Sequence, residues 1–114
     1  MSPSEKLAAA AEKIADLLAD AAVTSPLPWS DDKDECFVDD AADFHVGELA
    51  TPVEAELVVT AVNAMPAIAK WLKCAGEDLA TDADAFGKDQ DDYISNIPFY
   101  RLAVAVADQI LGGA

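Results

Sequence analysis

Carboxylates are the side chains with which this chain could do chemistry. Of its 114 residues, 22 are Asp or Glu and seven are Lys or Arg, for a formal net charge of −15. The acids fall into two runs. Residues 31–48 hold Asp31, Asp32, Asp34, Glu35, Asp39, Asp40, Asp43 and Glu48 against Lys33 alone. Residues 77–92 hold Glu77, Asp78, Asp82, Asp84, Asp89, Asp91 and Asp92 against Lys88 alone. Nearly all of the excess charge therefore sits in two short segments.

Three kinds of chemistry use closely spaced carboxylates. Acid–base catalysis needs one pair set apart by its surroundings, and no pair in this pattern is set apart. Metal binding needs ligands at fixed spacing. Asp82-Ala83-Asp84-Ala85-Phe86-Gly87 begins like a calcium loop, but Phe86 at the fifth position and Tyr93 at the twelfth remove two ligands. One His and two isolated Cys do not supply four zinc ligands. The third chemistry is electrostatic recognition. Carboxylates gathered on a small scaffold imitate a phosphate backbone and attract Lys and Arg, with steep salt dependence. On that reading the partner-binding residues are Asp31, Asp32, Asp34, Glu35, Asp39, Asp40, Asp43, Asp82, Asp84, Asp89, Asp91 and Asp92, and the partner is a protein with a basic surface. The same charge repels nucleic acid and anionic lipid, so neither is expected as a direct partner. A second account of the acidity is solubility alone, a solvated surface on an alanine-rich chain.

Signatures of other activities are missing from the sequence. His45 is the only histidine, and no nucleophile motif accompanies it. No glycine-rich phosphate loop is present. The expectation is a non-enzymatic protein with no catalytic residue, no cofactor and no metal. Cys36 and Cys74 lie far apart and read as free thiols of a reducing compartment. The N-terminus lacks a basic-then-apolar secretory pattern, and no apolar run reaches the ~18 residues of a bilayer span. Those features point to a soluble, cytoplasmic protein.

The positioning elements are mostly helical. The length predicts a single domain. Ser2-Pro3-Ser4-Glu5 starts a helix over about 3–22, with Leu7, Ala11, Ile14, Leu18 and Ala21 on one face and Leu17 widening it. Pro26 and Pro28 impose an extended corner over 24–30, with Trp29 as its anchor. A short acidic hairpin is expected over 35–47. Thr51, Pro52 and Glu54 then start the central helix, about 52–79, with Leu57, Ala61, Met65, Ile68 and Leu72 at helical spacing. Pro66 either kinks that helix or breaks it, and the in-phase stripe favours a kink. Residues 81–95 read as an acidic loop pinned by Phe86 and Tyr93. A last helix over about 97–111, capped by Ser95 or Asn96, carries Phe99, Leu102, Ala103, Val106 and Ile110 before Gly112 and Gly113. The fold class is mainly α (α+β): three to four helices around the central helix, with a short β-hairpin.

The Pro26-Leu27-Pro28-Trp29 corner, the acidic hairpin and the helix Ala55-Glu56-Leu57-Val58-Val59-Thr60-Ala61-Val62-Asn63-Ala64-Met65-Pro66-Ala67-Ile68 together resemble small bacteriophage early-region accessory proteins. The resemblance is to the Ead-like type, especially those of actinobacteriophages, and covers about residues 5–73. The hairpin lacks that family's glycine turn, and the segment from Thr81 onward has no counterpart in it. The resemblance implies an early protein active in the host cytoplasm, in host takeover or anti-defence, and supplies no catalytic residue. Combined with the charge, it makes a binding protein that engages a host protein, in its specific form a DNA mimic, the leading expectation. A self-assembling structural or regulatory helical protein, such as a homodimer through the first or last helix, is the alternative. A small-ligand binder or enzyme would require a deep pocket.

Overall fold

Two capping boxes begin the two long helices. Ser2 Oγ accepts from the Glu5 amide at 3.3 Å, and the Ser2 amide donates to Glu5 Oε1 at 3.1 Å. This reciprocal pair satisfies free amides at the start of α1, Pro3–Ala22. Hydrogen bonds from Ser2, its side chain foremost, hold the exposed Glu5 carboxyl below its ordinary pKa. Thr51 Oγ1 accepts from the Glu54 amide at 3.2 Å and donates to Glu54 Oε1 at 2.9 Å, opening α2, Pro52–Ala85. The computed structural model describes residues 1–32 and 35–112. After α1 come β1 Ser30–Asp31, β2 Phe37–Asp39 and β3 His45–Glu48, then α2, α3 Gln90–Ile94 and α4 Pro98–Ile110. The mainly helical α+β class is thus the observed one.

The chain divides into two compact units. One is Asp16–Pro66; the other joins Met1–Ala15 to Ala67–Ala114. Both long helices contribute to both units. Pro66 lies inside α2 and does not end it, so the helix does not restart at Pro66. The missing proline N–H leaves one carbonyl a turn earlier without its helical partner, yet 34 residues stay helical.

In the unit Asp16–Pro66 a three-stranded antiparallel sheet, ordered β1-β2-β3, replaces the expected two-stranded hairpin. Ser30 pairs with Asp39 and Val38 with Gly47. Val38, Ala55 and Val59 form the core, with Trp29, Val46 and Leu49 packed against them. The corner before β1 is fixed by polar bonds. The Trp29 amide donates to Asn63 Oδ1 at 2.8 Å, and Asn63 Nδ2 donates to the Trp29 carbonyl at 2.8 Å. The Trp29 indole Nε1 donates to the Ser25 carbonyl at 2.9 Å, and the Ala41 amide to the Pro26 carbonyl at 3.0 Å.

The other unit has an alanine core. Leu7, Ala10, Ala11 and Ile14 of α1 are buried, as are Leu72, Ala75, Leu79 and Ala83 of α2 and Tyr100, Ala103 and Ala107 of α4. A Cβ at Gly76 would lie 3.2 Å from both Leu7 Cβ and the Ser4 carbonyl, so the absent side chain is what lets α1 and α2 approach there. Lys6 pairs with Asp108 at 3.2 Å, and Lys13 Nζ donates to the Ile110 carbonyl at 2.9 Å.

The helical stripes differ from expectation in detail. On α2 only Leu72 of the predicted stripe is buried, and Leu57 is 67% exposed. On α4 the buried face is Tyr100, Ala103 and Ala107, while Phe99 and Leu102 point outward. The N-cap of α4 is Ile97, not Ser95 or Asn96. The sequence shows no uninterrupted apolar run of spanning length, but α2 does meet that length and composition, with 11% of its apolar window buried. At 1.5 Å per residue it extends roughly 50 Å.

Replacing Asn63 tests the clamp on Trp29. Asn63→Ala removes both hydrogen bonds and is expected to cost about 1–2 kcal/mol. Asn63→Asp keeps the acceptor but sets an oxygen against the Trp29 carbonyl, so it is expected to cost at least as much. Urea denaturation, read as a fall in midpoint at constant slope, checks both.

Candidate functional site

The expected acidic loop over 81–95 is largely helical. Leu79 and Ala83 continue the buried spacing of Leu72 and Ala75, and that burial carries α2 to Ala85. The stop is a backbone motif. The Gly87 amide donates to the Asp84 carbonyl and the Lys88 amide to the Ala83 carbonyl, both at 3.0 Å. Gly87 has φ +63°, the left-handed conformation that closes a helix in this way. Asp89 then accepts from the Asp91 amide at 2.8 Å and caps α3, which carries Asp91, Asp92 and Tyr93.

Asp84, Asp89, Asp91 and Asp92 are exposed within this short span. Asp82 is not free: it accepts from the Tyr100 hydroxyl at 2.7 Å. Burial, then the hydrogen bond and charge of Asp82, pushes the Tyr100 phenol well above its ordinary pKa. Five of the chain's eight aromatic rings meet here. Phe86 stacks on Tyr93 at 5.7 Å, Tyr93 lies 6.1 Å from Tyr100, Tyr100 5.3 Å from Phe99, and Phe99 6.2 Å from Trp71.

The first acidic run surrounds the small sheet. Asp31 belongs to β1 and Asp39 to β2, and Asp32 and Glu35 are exposed. Asp39 Oδ1 lies 3.8 Å from His45 Nδ1, an ion pair when the imidazole is protonated. His45 also packs edge-on against Phe37 at 5.3 Å. Asp34 lies outside the described residues. Asp40 corrects the expectation of a partner-facing carboxylate, because it is 2% exposed. Its Oδ1 accepts from the amides of Ala42 at 2.8 Å and Phe44 at 3.1 Å, while Oδ2 is buried with no hydrogen-bond partner among the described residues. It braces the β2–β3 turn, where Asp43 has φ +64°. An Asp opening a turn, whose side chain can accept from the backbone amide two residues on, is the sequence signal that marks such a brace.

Two concave surfaces complete the picture, both in the alanine-core unit. A groove of about 730 Å³ between α1 and α2 is floored by Ala8, Ala11, Ala15, Ala69, Gly76 and Ala80, with Lys70 and Lys73 among its charged lining residues. A second depression of about 620 Å³ includes Asp84, Lys88 and Gln90. Cys36 and Cys74 are free thiols, and among the described residues no three His, Cys, Asp or Glu side chains are placed to hold a metal ion. No protein family, curated protein or solved structure matches the chain.

Two perturbations test these polar sites. Asp40→Ala leaves two turn amides without their acceptor and is expected to cost about 1–3 kcal/mol, with Asp40→Asn milder because Oδ1 remains. For Tyr100 the folded state binds the phenolic proton more tightly than the unfolded state. Its stabilising share is complete below about pH 10, the unfolded value, and declines as pH rises toward the higher folded value. Chemical unfolding as a function of pH is expected to show Tyr100→Phe losing less stability than wild type above that point.

Proposed function

We propose that this chain is a non-enzymatic acidic binding protein that engages a partner through that partner's basic surface. The observation that carries the reading is the concentration of negative charge: residues 31–48 and 77–92 carry −7 and −6 of the net −15. Charge gathered in this way steers association with a cationic surface and makes it salt-dependent. The exposed carboxylates Asp84, Asp89, Asp91 and Asp92 of the second run, and Asp32, Glu35 and Asp43 of the first, are the residues proposed to meet it. Asp40 is omitted because its buried carboxylate serves the turn.

The origin we propose is a bacteriophage early protein acting in the host cytoplasm, in host takeover or anti-defence. This rests on the sequence resemblance over residues 5–73. The specific form is mimicry of DNA charge, in which the partner is a host protein that otherwise binds nucleic acid. A second reading, self-assembly, is favoured by the outward large side chains Leu57 and Val53 on α2 and Phe99 and Leu102 on α4, each more than half exposed. Such surface invites a covering partner.

Immobilised protein incubated with an actinobacterial lysate at low salt is expected to retain a basic, nucleic-acid-binding protein and to release it as salt rises. Retention of no such protein overturns the mimicry. Light scattering on the purified chain distinguishes the second reading, which requires a stable oligomer that survives dilution.

A further inference from the structure

Half of the chain's eight aromatic rings, Phe37, Phe44, Phe86 and Phe99, are exposed. In the alanine-core unit, Phe86 is 68% exposed at one end of the five-ring run, and Phe99, beside Trp71 at the other end, is 51% exposed. Only Tyr100 in that run is buried, and it is tied to Asp82. Phe86 is also held in place. It directly follows α2, its amide donates to the Asp82 carbonyl at 3.1 Å, and Gly87 fixes the backbone beyond it. Tyr93 is fixed from its own side by α3, whose first residues are capped by Asp89. The stacked pair, 5.7 Å apart and inclined by 26°, therefore holds the largely exposed Phe86 ring in a fixed position.

The charges around it are mostly of one sign. Asp91 and Asp92 share α3 with Tyr93, Asp89 caps that helix, and Asp84 lies two residues before Phe86. The cations nearest in sequence on the neighbouring elements are Lys88 and Arg101. An aromatic face attracts cations through its quadrupole, and carboxylates beside it add charge attraction and hydrogen-bond acceptors. A planar guanidinium satisfies both demands at once, stacking on the ring while its edge meets a carboxylate; a compact ammonium meets them less well.

We infer that the Phe86–Tyr93 stack, with Asp89, Asp91 and Asp92, is a docking shelf for an arginine-bearing segment of a partner protein. The inference rests on the proposed engagement of a basic partner and assigns it a place and a side-chain preference. It divides the labour between the acidic runs: both raise the encounter rate, and this one also reads arginine.

The test uses the full chain with fluorescently labelled octa-arginine and octa-lysine peptides, followed by anisotropy at low and physiological salt. Octa-arginine is expected to bind more tightly than octa-lysine. Phe86→Leu, which keeps the bulk but not the ring, is expected to weaken octa-arginine binding about three- to fivefold and to narrow the gap between the peptides. Phe86→Trp should restore it. Phe44→Leu, which removes the 71% exposed ring beside the other acidic run, should change nothing. Equal affinity for the two peptides, or a Phe86→Leu protein that stays folded by circular dichroism and binds as wild type does, overturns the shelf while the acidic-binding reading stands. Failure of wild type to bind either peptide at low salt overturns both.

Discussion

A single carboxamide fixes the unit built around the sheet. Asn63 offers both an acceptor and a donor, and Trp29 presents its backbone amide and carbonyl to them. The pairing holds an extended corner against α2. That corner has no secondary structure of its own to satisfy its backbone groups. Once Trp29 is held, Ser30 and Asp31 are delivered to pair with Asp39 and Val38, and the Trp29 ring joins the Val38–Ala55–Val59 core. Three short strands would be marginal alone. Here they are attached to a helix whose own start is capped.

The unit built from α1, the second half of α2 and α4 works by close approach instead. Seven of the fourteen buried hydrophobic residues in the described chain are alanines, six of them in this unit, and Gly76 removes even the methyl group where α1 meets α2. Small side chains bury little area each, so backbones must come near to exclude water. Leu7, Leu72, Leu79 and Tyr100 fill what interior the close approach leaves. This explains why Phe86, Phe99 and Leu102 stand outward beside the acids, and why the aromatic run and the charge occupy the same region.

Much of this was legible in the residues. The capping boxes at Ser2 and Thr51, the prolines at the first helical positions and the regular apolar spacing located the long helices within a few residues, because these signals are local. The signals that misled were those that depend on what lies opposite. Acidic composition suggested a loop after Thr81, yet burial of Leu79 and Ala83 continues the helix and Gly87 supplies the stop. Periodicity on α4 put Ala103 on the inward face, where it lies, but set Phe99 and Leu102 there in place of Tyr100 and Ala107. Two strands were visible in the sequence, but β1 was not: a two-residue strand, Ser30–Asp31, has no apolar pattern and exists only because the corner delivers it. For the candidate site, composition identified the carboxylates. It did not show that Asp40 is turned inward to brace a turn, because composition carries no backbone geometry, or that Asp82 is occupied by Tyr100 from another helix.

The alanine core also gives the sequence a direction in which it can drift. At Ala10, Ala75, Ala103 and Ala107, all at 2% exposure or less, every replacement except glycine is an enlargement. Such positions cannot be hollowed out, only wedged apart, and wedging separates whole helices instead of opening a local void. Related chains should therefore vary freely on the charged exterior and hold these four sites nearly invariant. A natural variant with a larger residue at one of them should carry a compensating reduction on the facing helix.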